Sequence, residues 1–533
     1  MRRAGRYIAT IDCGTSNVRC IVFDMDTGRQ VSSASQDWYV PNNAEIAGAY
    51  DFDAESNWEL VCRCTRAALS GLDSSAVAAV TSSGFRHGIF CLDKAGNALY
   101  GCFNMDSRMS TRFIDENGLG ALIHRKAGDW PSLHGLPRLM WIKENDPAAF
   151  ERIDKVLCVS DWVVYKLCGQ AAVEPGNASS TLALDIETRS WSEEIIGRCG
   201  LPRHIFPRLA DAGEIMGAIG AEMAQATGFS PGTLVAMGAA DTQAGLVGVG
   251  STGVGSAAIV GGTYWLDCLV TDKPYTDPQY NTRMSCHSER GQWIYEGVGF
   301  YVGLTVRWFR DVFGEREKEL ARAGGGDAYD ILTRLTLDVP AGSYGMQVLF
   351  SDVANQSRWR MCAPTFMGWD VLDPGKSHRG VFLKAILENA CYQAYGEYEN
   401  IRRITGDASL PDKLILCGGA ARSAPWRQIL SDCMGVPVET PVEKEGTAIG
   451  AAIFAAVGAG LYPDTGTAVS ALVRTEARCE PNMANHAVYA NEYRRWRELY
   501  RRGLELVDDA LVKSMWQSPS TISEAQRQNP WRI

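Results

Sequence analysis

Apolar residues come in short bursts through the first forty positions and predict three consecutive strands. YIATIDCG (7–14) is apolar and ends in a turn, NVRCIVFD (17–24) follows, and RQVSSASQDW (29–38) comes after the Asp26-Thr27-Gly28 turn. The period then changes. Trp58, Val61, Thr65 and Leu69 fall on one face of a helix within ESNWELVCRCTRAALSGL (55–72), and AVAAVTSSG (76–84) returns to a strand. A meander of strands followed by alternating helix and strand predicts an α/β chain, with a mixed sheet flanked by helices.

The same order starts again near residue 256. SAAIVGGTYWLDCLVTD (256–272) reads as strand, glycine-containing turn and strand. A long helical stretch over 379–406 then leads into DKLILCGGAARSAPWRQIL (412–430), a strand, a tight turn and a helix. Two halves of similar layout are therefore expected. The Gly-rich stretch Val247 to Gly255 marks the boundary between a domain over 1–255 and one over 256–480, with a helical extension over 481–533. In that extension Tyr493, Trp496, Leu499, Leu504, Val507 and Leu511 share one side, and Arg494, Arg495, Arg497, Arg501 and Arg502 crowd its start. A docked helix with a solvated basic face is the expectation, preferred over an anion-binding patch.

Size and charge narrow the picture. A chain of 533 residues exceeds what one core usually organises. A net charge of -10 disfavours nucleic acid or an anionic membrane as the main partner. MRRAGRYIAT is basic but lacks the apolar stretch of a signal peptide, so a cytoplasmic location is expected. The Gly- and Ala-rich run Thr447 to Tyr462 is too weakly apolar for a membrane span, which takes about 18 strongly apolar residues, and reads as a buried helix. The sixteen cysteines form no C-x-x-C pairs and have no histidine companions; reduced, buried thiols explain them, and no metal site built by protein ligands alone is expected.

Three glycine-containing turns follow apolar strands: Asp12-Cys13-Gly14-Thr15-Ser16, Gly261-Gly262-Thr263 and Gly418-Gly419-Ala420. Glycine removes the Cβ that would block a phosphate from backbone N–H groups, and Thr15, Ser16 and Thr263 add hydroxyl donors. One such turn is weak evidence; three in two similarly built halves are much stronger. None matches a Walker A or Rossmann pattern.

Asp12 and Asp241 are expected to face each other across a cleft between the domains. A carboxylate at the end of a buried strand, such as Asp12, is costly unless solvated, bonded or near a cation. It is read as holding Mg²⁺ through water, against a plain turn cap. Asp241, in VAMGAADTQAGLVGVG (235–250), is read as a helix N-cap whose ionised carboxylate can orient a hydroxyl and accept its proton late. The small residues around it are expected to leave room for substrate. Arg86 and His87 in SGFRHG, with Asn104 and Asp106 in FNMDSR, are candidate substrate contacts.

Taken together, IDCGTSNVRCIVFD (11–24), GAADTQAGLVGVG (238–250), VGGTYW (260–265), CGGAARSAPWRQILSDCMGVPV (417–438) and EKEGTAIGAAIFAAVGAG (443–460) resemble the FGGY family of carbohydrate kinases, within the actin-like ATPase superfamily. The resemblance implies two RNase H-like domains with a nucleotide and substrate cleft between them, and transfer of phosphate from ATP with Mg²⁺. By motif, it places Asp12, Gly14, Thr15, Ser16 and Arg19 on the N-terminal phosphate loop and Asp241 on the catalytic base, with Asp12 and Asp241 at the Mg²⁺ through water. It places Gly262 and Thr263 on a second phosphate turn, Gly303 near the phosphates, and Gly418, Gly419 and Ser423 on the adenosine site. Arg86, His87 and Asp106 fall on the sugar pocket.

Segments 52–69, 303–313, 340–352 and 506–516 resemble the branch of the family that phosphorylates 4,5-dihydroxy-2,3-pentanedione, the open-chain precursor of autoinducer-2. Two departures stand out. His87 occupies a place where related kinases often have Glu, which bears on the substrate, and Ala239-Ala240 replace glycines before Asp241. The rival readings are a kinase of xylulose, ribulose or a deoxyketohexose, and an actin-like nucleotide-binding filament or sensor. The expected partner is a small polyol or signal molecule, and a homo-oligomer is compatible with the sequence.

Overall fold

Two seven-stranded sheets carry the fold, one formed by strands before residue 241 and the other by strands after 256. The structure, a computed structural model, describes residues 5–41, 46, 48–407 and 411–516. In the first sheet β1 (Tyr7–Cys13), β2 (Asn17–Asp24) and β3 (Arg29–Asp37) form the antiparallel meander, and β4 (Val77–Gly84) adds parallel to β1. β5 (Ile215–Ala218) and β6 (Leu234–Ala236) complete the edge, and the two-residue β7 (Ala239–Ala240) continues beside the end of β4. β1 and β4 are buried almost throughout, as continuous apolar strands flanked on both faces should be, whereas β3 alternates at the rim.

The second sheet repeats this scheme. β8 (Ala257–Gly261), β9 (Trp265–Thr271) and β11 (Trp293–Gly299) form an antiparallel meander with β10 (Arg283–Cys286) at its edge. β12 (Leu414–Gly418) pairs parallel with β8, β13 (Val438–Pro441) parallel with β12, and β14 (Thr475–Cys479) closes the other edge antiparallel. This is the mixed α/β architecture the strand pattern predicts. Register places Gly261 opposite Gly418, so two of the glycine turns leave the sheet side by side.

The helices follow their caps and apolar faces. α1 (Ala54–Leu69) begins where Asp53 accepts a hydrogen bond from Ser56 N. α2 (Asp241–Gly248) opens directly from β7, and α3 (Val302–Phe313), α4 (Arg379–Thr405) and α5 (Ala424–Met434) belong to the second half. α6 (Gly446–Gly458) is apolar all round and buried, and its Ala448, Ile449, Ala452 and Ile453 pack with Ile8, Phe23 and Ala79 of the first sheet. A helix from late in the chain thus seats on the first sheet, and Thr10 Oγ1 donates to Ala448 O at 2.9 Å. Among the described residues no helix is long and apolar enough to cross a membrane. All sixteen cysteines are free thiols.

Of the small residues after Asp241, Gly245 borders a hollow together with Asp241, whereas Gly248 serves helix packing: a Cβ on it would lie 1.8 Å from Gly446 O, and one on Gly450 would lie 1.8 Å from Ala244 O, so α2 and α6 cross backbone to backbone. One expectation needs correction here. The terminal helix α7 (Met483–Asp508) buries Tyr489, Tyr493, Trp496, Tyr500 and Gly503, but ends before Leu511, which is 69% exposed. The α2–α6 crossing gives a first prediction. Gly450→Ala overpacks it at a cost of about 1–3 kcal/mol and lowers the thermal unfolding midpoint; an unchanged midpoint would contradict the crossing.

Candidate active site

Strand register brings the acidic residues together. Antiparallel pairing of β1 with β2 sets Asp12 opposite Arg19, and Arg19 Nη2 reaches Asp12 Oδ2 at 2.5 Å while Nη1 reaches Glu445 Oε2 at 2.5 Å. Asp12 pairs with Ser83 of β4, and Ala240 of β7 pairs with Gly84. Asp12 and Asp241 therefore stand at neighbouring strand ends of one sheet, and do not face each other from two domains. Asp241 is also the first residue of α2, with Ala240 as its N-cap; its Oδ1 accepts from Thr242 N at 2.7 Å. Burial pushes the carboxyl of Asp12 above its ordinary value, Arg19 opposes this, and Glu445 and Asp241 add to it. Asp241 is likewise raised by burial, with Arg86 opposing.

Arg86 leaves the end of β4 and meets Glu296 of β11 in a two-pronged ion pair, at 2.5 and 2.9 Å, with its Nε 3.4 Å from Asp241. Glu296 is 2% exposed. Arg283 of β10 adds Nη2 at 3.9 Å from Glu296 and donates from Nε to Asp129 at 2.9 Å; His134 Nε2 meets Asp129 at 3.1 Å. Burial would raise Glu296, but Arg86 and Arg283 outweigh it and hold the carboxyl below its ordinary value. Alternating charges thus link the two sheets across the cleft.

Arg86, Asp241, Arg283, Asp129 and His134 border a cavity of about 630 Å³ that His87, Asn104, Trp359 and Phe300 also line. His87 holds φ at 72°, an uncommon conformation for a non-glycine residue, while Arg138 Nε donates to its carbonyl at 2.9 Å. Its ring lies edge-on to His134 at 4.7 Å, and its buried Nδ1 has no hydrogen-bond partner. Burial, with His134 and Arg86 nearby, pulls His87 well below the usual histidine range, so its ring is neutral at pH 7. Asn104 Nδ2 donates to Thr15 Oγ1 at 3.0 Å, which ties the Gly14-Thr15-Ser16 turn to the cavity wall.

Asp106 is a correction: it is fully buried, accepts from Tyr50 N and from Arg108, and is not among the residues that line this cavity. Sequence reasoning missed Glu296, Arg283, Asp129, His134 and Trp359. Glu296 did carry a signal, a lone charge inside the wholly apolar strand WIYEGVG.

A second hollow of about 330 Å³ gathers Gly262, Thr263, Gly303, Gly419 and Ser423. Gly303 is required by close approach, since a Cβ there would lie 2.1 Å from Gly262 O. Gly418 turns with φ 79°, and a Cβ would lie 2.8 Å from Gly261 O. Ser423 caps α5, its Oγ accepting from Trp426 N at 3.3 Å. A third hollow of about 750 Å³ includes Gly418, Gly419 and Asp241, and so connects the glycine turns with the first cavity.

Comparison with known proteins fits this geometry. The sequence pattern described as the FGGY family of carbohydrate kinases, N-terminal domain, matches residues 7–248, and that of its C-terminal domain matches 257–459. The chain belongs to the FGGY family of carbohydrate kinases. It is accordingly an ATP-dependent carbohydrate kinase. A relative named autoinducer-2 kinase, from Yersinia enterocolitica, is 36% identical over 523 residues, covering 97% of this chain and 98% of that protein. Among solved structures, a xylulose kinase from Rhodospirillum rubrum superposes with a TM-score of 0.81 at 23% identity, covering 93% and 99% of the two chains. A gluconate kinase from Lactobacillus acidophilus gives 0.84 at 19%, covering 95% and 99%. At those identities the two structures speak for the fold alone.

The kinase's buried ion pair yields a second prediction. Glu296→Gln leaves Arg86 without its two-pronged partner and costs about 3–5 kcal/mol, read by denaturant titration. Because the folded Glu296 titrates below its ordinary value, this contribution is present at neutral pH and lost as pH falls through the folded value. Equal stability of the two proteins at pH 7 would count against the pair.

Proposed function

We propose that the chain transfers the γ-phosphate of ATP to a primary hydroxyl of a small open-chain polyhydroxy carbonyl compound, and that the compound is 4,5-dihydroxy-2,3-pentanedione, the autoinducer-2 precursor. One observation carries the reading: Asp241 stands where the polar cavity of Arg86, His87 and Asn104 joins the hollows of the glycine turns. The choice of substrate draws on the 36% identity to a full-length autoinducer-2 kinase. In this reading residues 1–255 supply the substrate cavity and first phosphate loop, 256–480 the nucleotide hollow, and 481–533 a helical extension.

Asp241 orients the substrate hydroxyl and takes its proton late, when the transferring phosphoryl is already loosely held. Arg86, fixed by Glu296, keeps that carboxylate directed into the cavity and balances its charge. The neutral His87 ring stands in the wall of that cavity, where it can meet a hydroxyl or carbonyl oxygen of the substrate in the tautomer that suits it. Thr263, Gly418 and Gly419 present backbone N–H groups to phosphate oxygens, Gly262 keeps the approach open by lacking a side chain, Gly14, Thr15, Ser16 and Arg19 lie on the opposite side and Ser423 toward the adenosine.

A divalent cation suits the pair Asp12 and Asp241, two carboxylates at neighbouring strand ends that each raise the cost of the other's charge. Among the described residues no cluster of three or more ligands could hold a metal alone, as suits Mg²⁺ bound through water and nucleotide phosphates. When bound, Mg²⁺ supplies charge neutralisation at those phosphates. Closure of the cleft over the substrate excludes water and limits futile hydrolysis of ATP.

Asp241→Asn is expected to lower kcat by about 10²–10⁴-fold with the fold intact; retained phosphorylation sinks the assignment of the base. Since burial raises the Asp241 carboxyl, kcat/KM should fall with decreasing pH through a value above the ordinary carboxylate range. A panel of the dione, xylulose, ribulose and deoxyketohexoses, read by ADP release and product mass, tests the substrate: turnover of the sugars without the dione rejects it.

A further inference from the structure

On the side of the second half formed by α4, α7 and the 352–360 loop lie two adjoining hollows of about 600 and 490 Å³, which share Glu399 and Arg497. Five arginines line the larger, and the smaller adds Arg402 and Arg403, against three carboxylates, Asp352, Glu399 and Glu498. This basic excess stands out in a chain of net charge -10. Four of the guanidinium groups have carboxylate partners: Arg497 with Asp352, Arg360 with Asp508, Arg403 with Asp277, and Arg501 with Glu498 and Glu505.

Three do not. Among the described residues no carboxylate pairs with Arg358, Arg402 or Arg494. Arg494 donates only to Asn491 Oδ1 and Ala490 O. Arg402 lies over the Tyr395 ring at 5.9 Å, and its buried Nε has no acceptor. The basic side of α7, expected to be merely solvated, therefore walls a concave site. Arg358 and Arg494, planar guanidinium forks with no carboxylate partner, line the same hollow of ligand size, and Arg402 lines the one beside it, a setting that suits the oxygens of phosphate groups.

The loop that brings Arg358 and Arg360 to this site also carries Trp359. Trp359 holds φ at 49° and turns the other way, against Phe300 at 5.3 Å and Trp516 at 5.1 Å, into the wall of the substrate cavity. Its indole Nε1 is buried without a partner. Neighbouring residues of one strained loop therefore face two different cavities.

We infer that the arginine-lined cleft binds a small, multiply charged phosphate ester, and that its occupancy shifts Trp359 at the substrate cavity. The second half of this inference rests on the reading of that cavity as the substrate site; the first does not. Binding is free of the kinase reaction and is measured first, by calorimetry with inorganic pyrophosphate while a non-hydrolysable ATP analogue saturates the nucleotide hollow. One saturable site is expected, weakening with salt, and the Arg358→Gln, Arg494→Gln double variant should weaken it by about tenfold per guanidinium. Arg494→Gln alone, on an exposed helix position, serves as the check should the double variant unfold. Absence of saturable heat, or equal affinity in a folded variant, overturns the site. Saturating pyrophosphate should also change tryptophan fluorescence and the KM for the phosphoryl acceptor in the parent protein and in neither variant. Binding with both readouts unmoved overturns the coupling through Trp359.

Discussion

The ion pair between Arg86 and Glu296 is the constraint around which the cleft is organised. It joins the first sheet to the second by two hydrogen bonds in a place closed to solvent, so neither charge can be released without leaving the other stranded. Everything polar nearby is arranged in answer to it. Asp241 sits within reach of the same guanidinium, and Arg283 extends the chain of charges to Asp129 and His134. Arg86, Glu296, Asp241, Arg283, Asp129 and His134 thus share one electrostatic frame, and removing any member redistributes charge over the others.

Backbone geometry supplies the other half of the site. Parallel pairing of β8 and β12 brings Gly261 and Gly418 into register, and Gly303 lets α3 begin against the carbonyl of Gly262. The lack of Cβ atoms lets the turns close up there, and Val306, Arg307, Tyr329, Arg422 and Trp426 complete the lining.

Much of this was legible from the amino-acid order. Strand and helix spans followed directly from periodicity, because β1, β4, β8 and β12 are buried as continuous apolar runs and α1 and α4 keep a helical repeat. The glycine turns were visible because each ends such a run. What the sequence did not reveal was set by tertiary contact. Asp106 has the look of a pocket residue in its own segment, yet Arg108 and Arg138 fold over it. Gly248 gave no hint that α6, two hundred residues later, presses against it, while Gly245 does border open space beside Asp241. Arg283 lies far along the chain from Asp129 and His134, and only the meeting of the two halves brings it to them.

The crossing of α2 and α6 has a mechanical consequence. With main chain pressed on main chain at Gly248, Gly446 and Gly450, there is no layer of side chains between the helices to shear or rearrange. Sliding one against the other would drive carbonyl into Cα at once, while tilting about the contact point would not. The crossing therefore fixes how far α2 stands along α6, and with it the place of Asp241, the first residue of α2, relative to the first sheet that α6 covers.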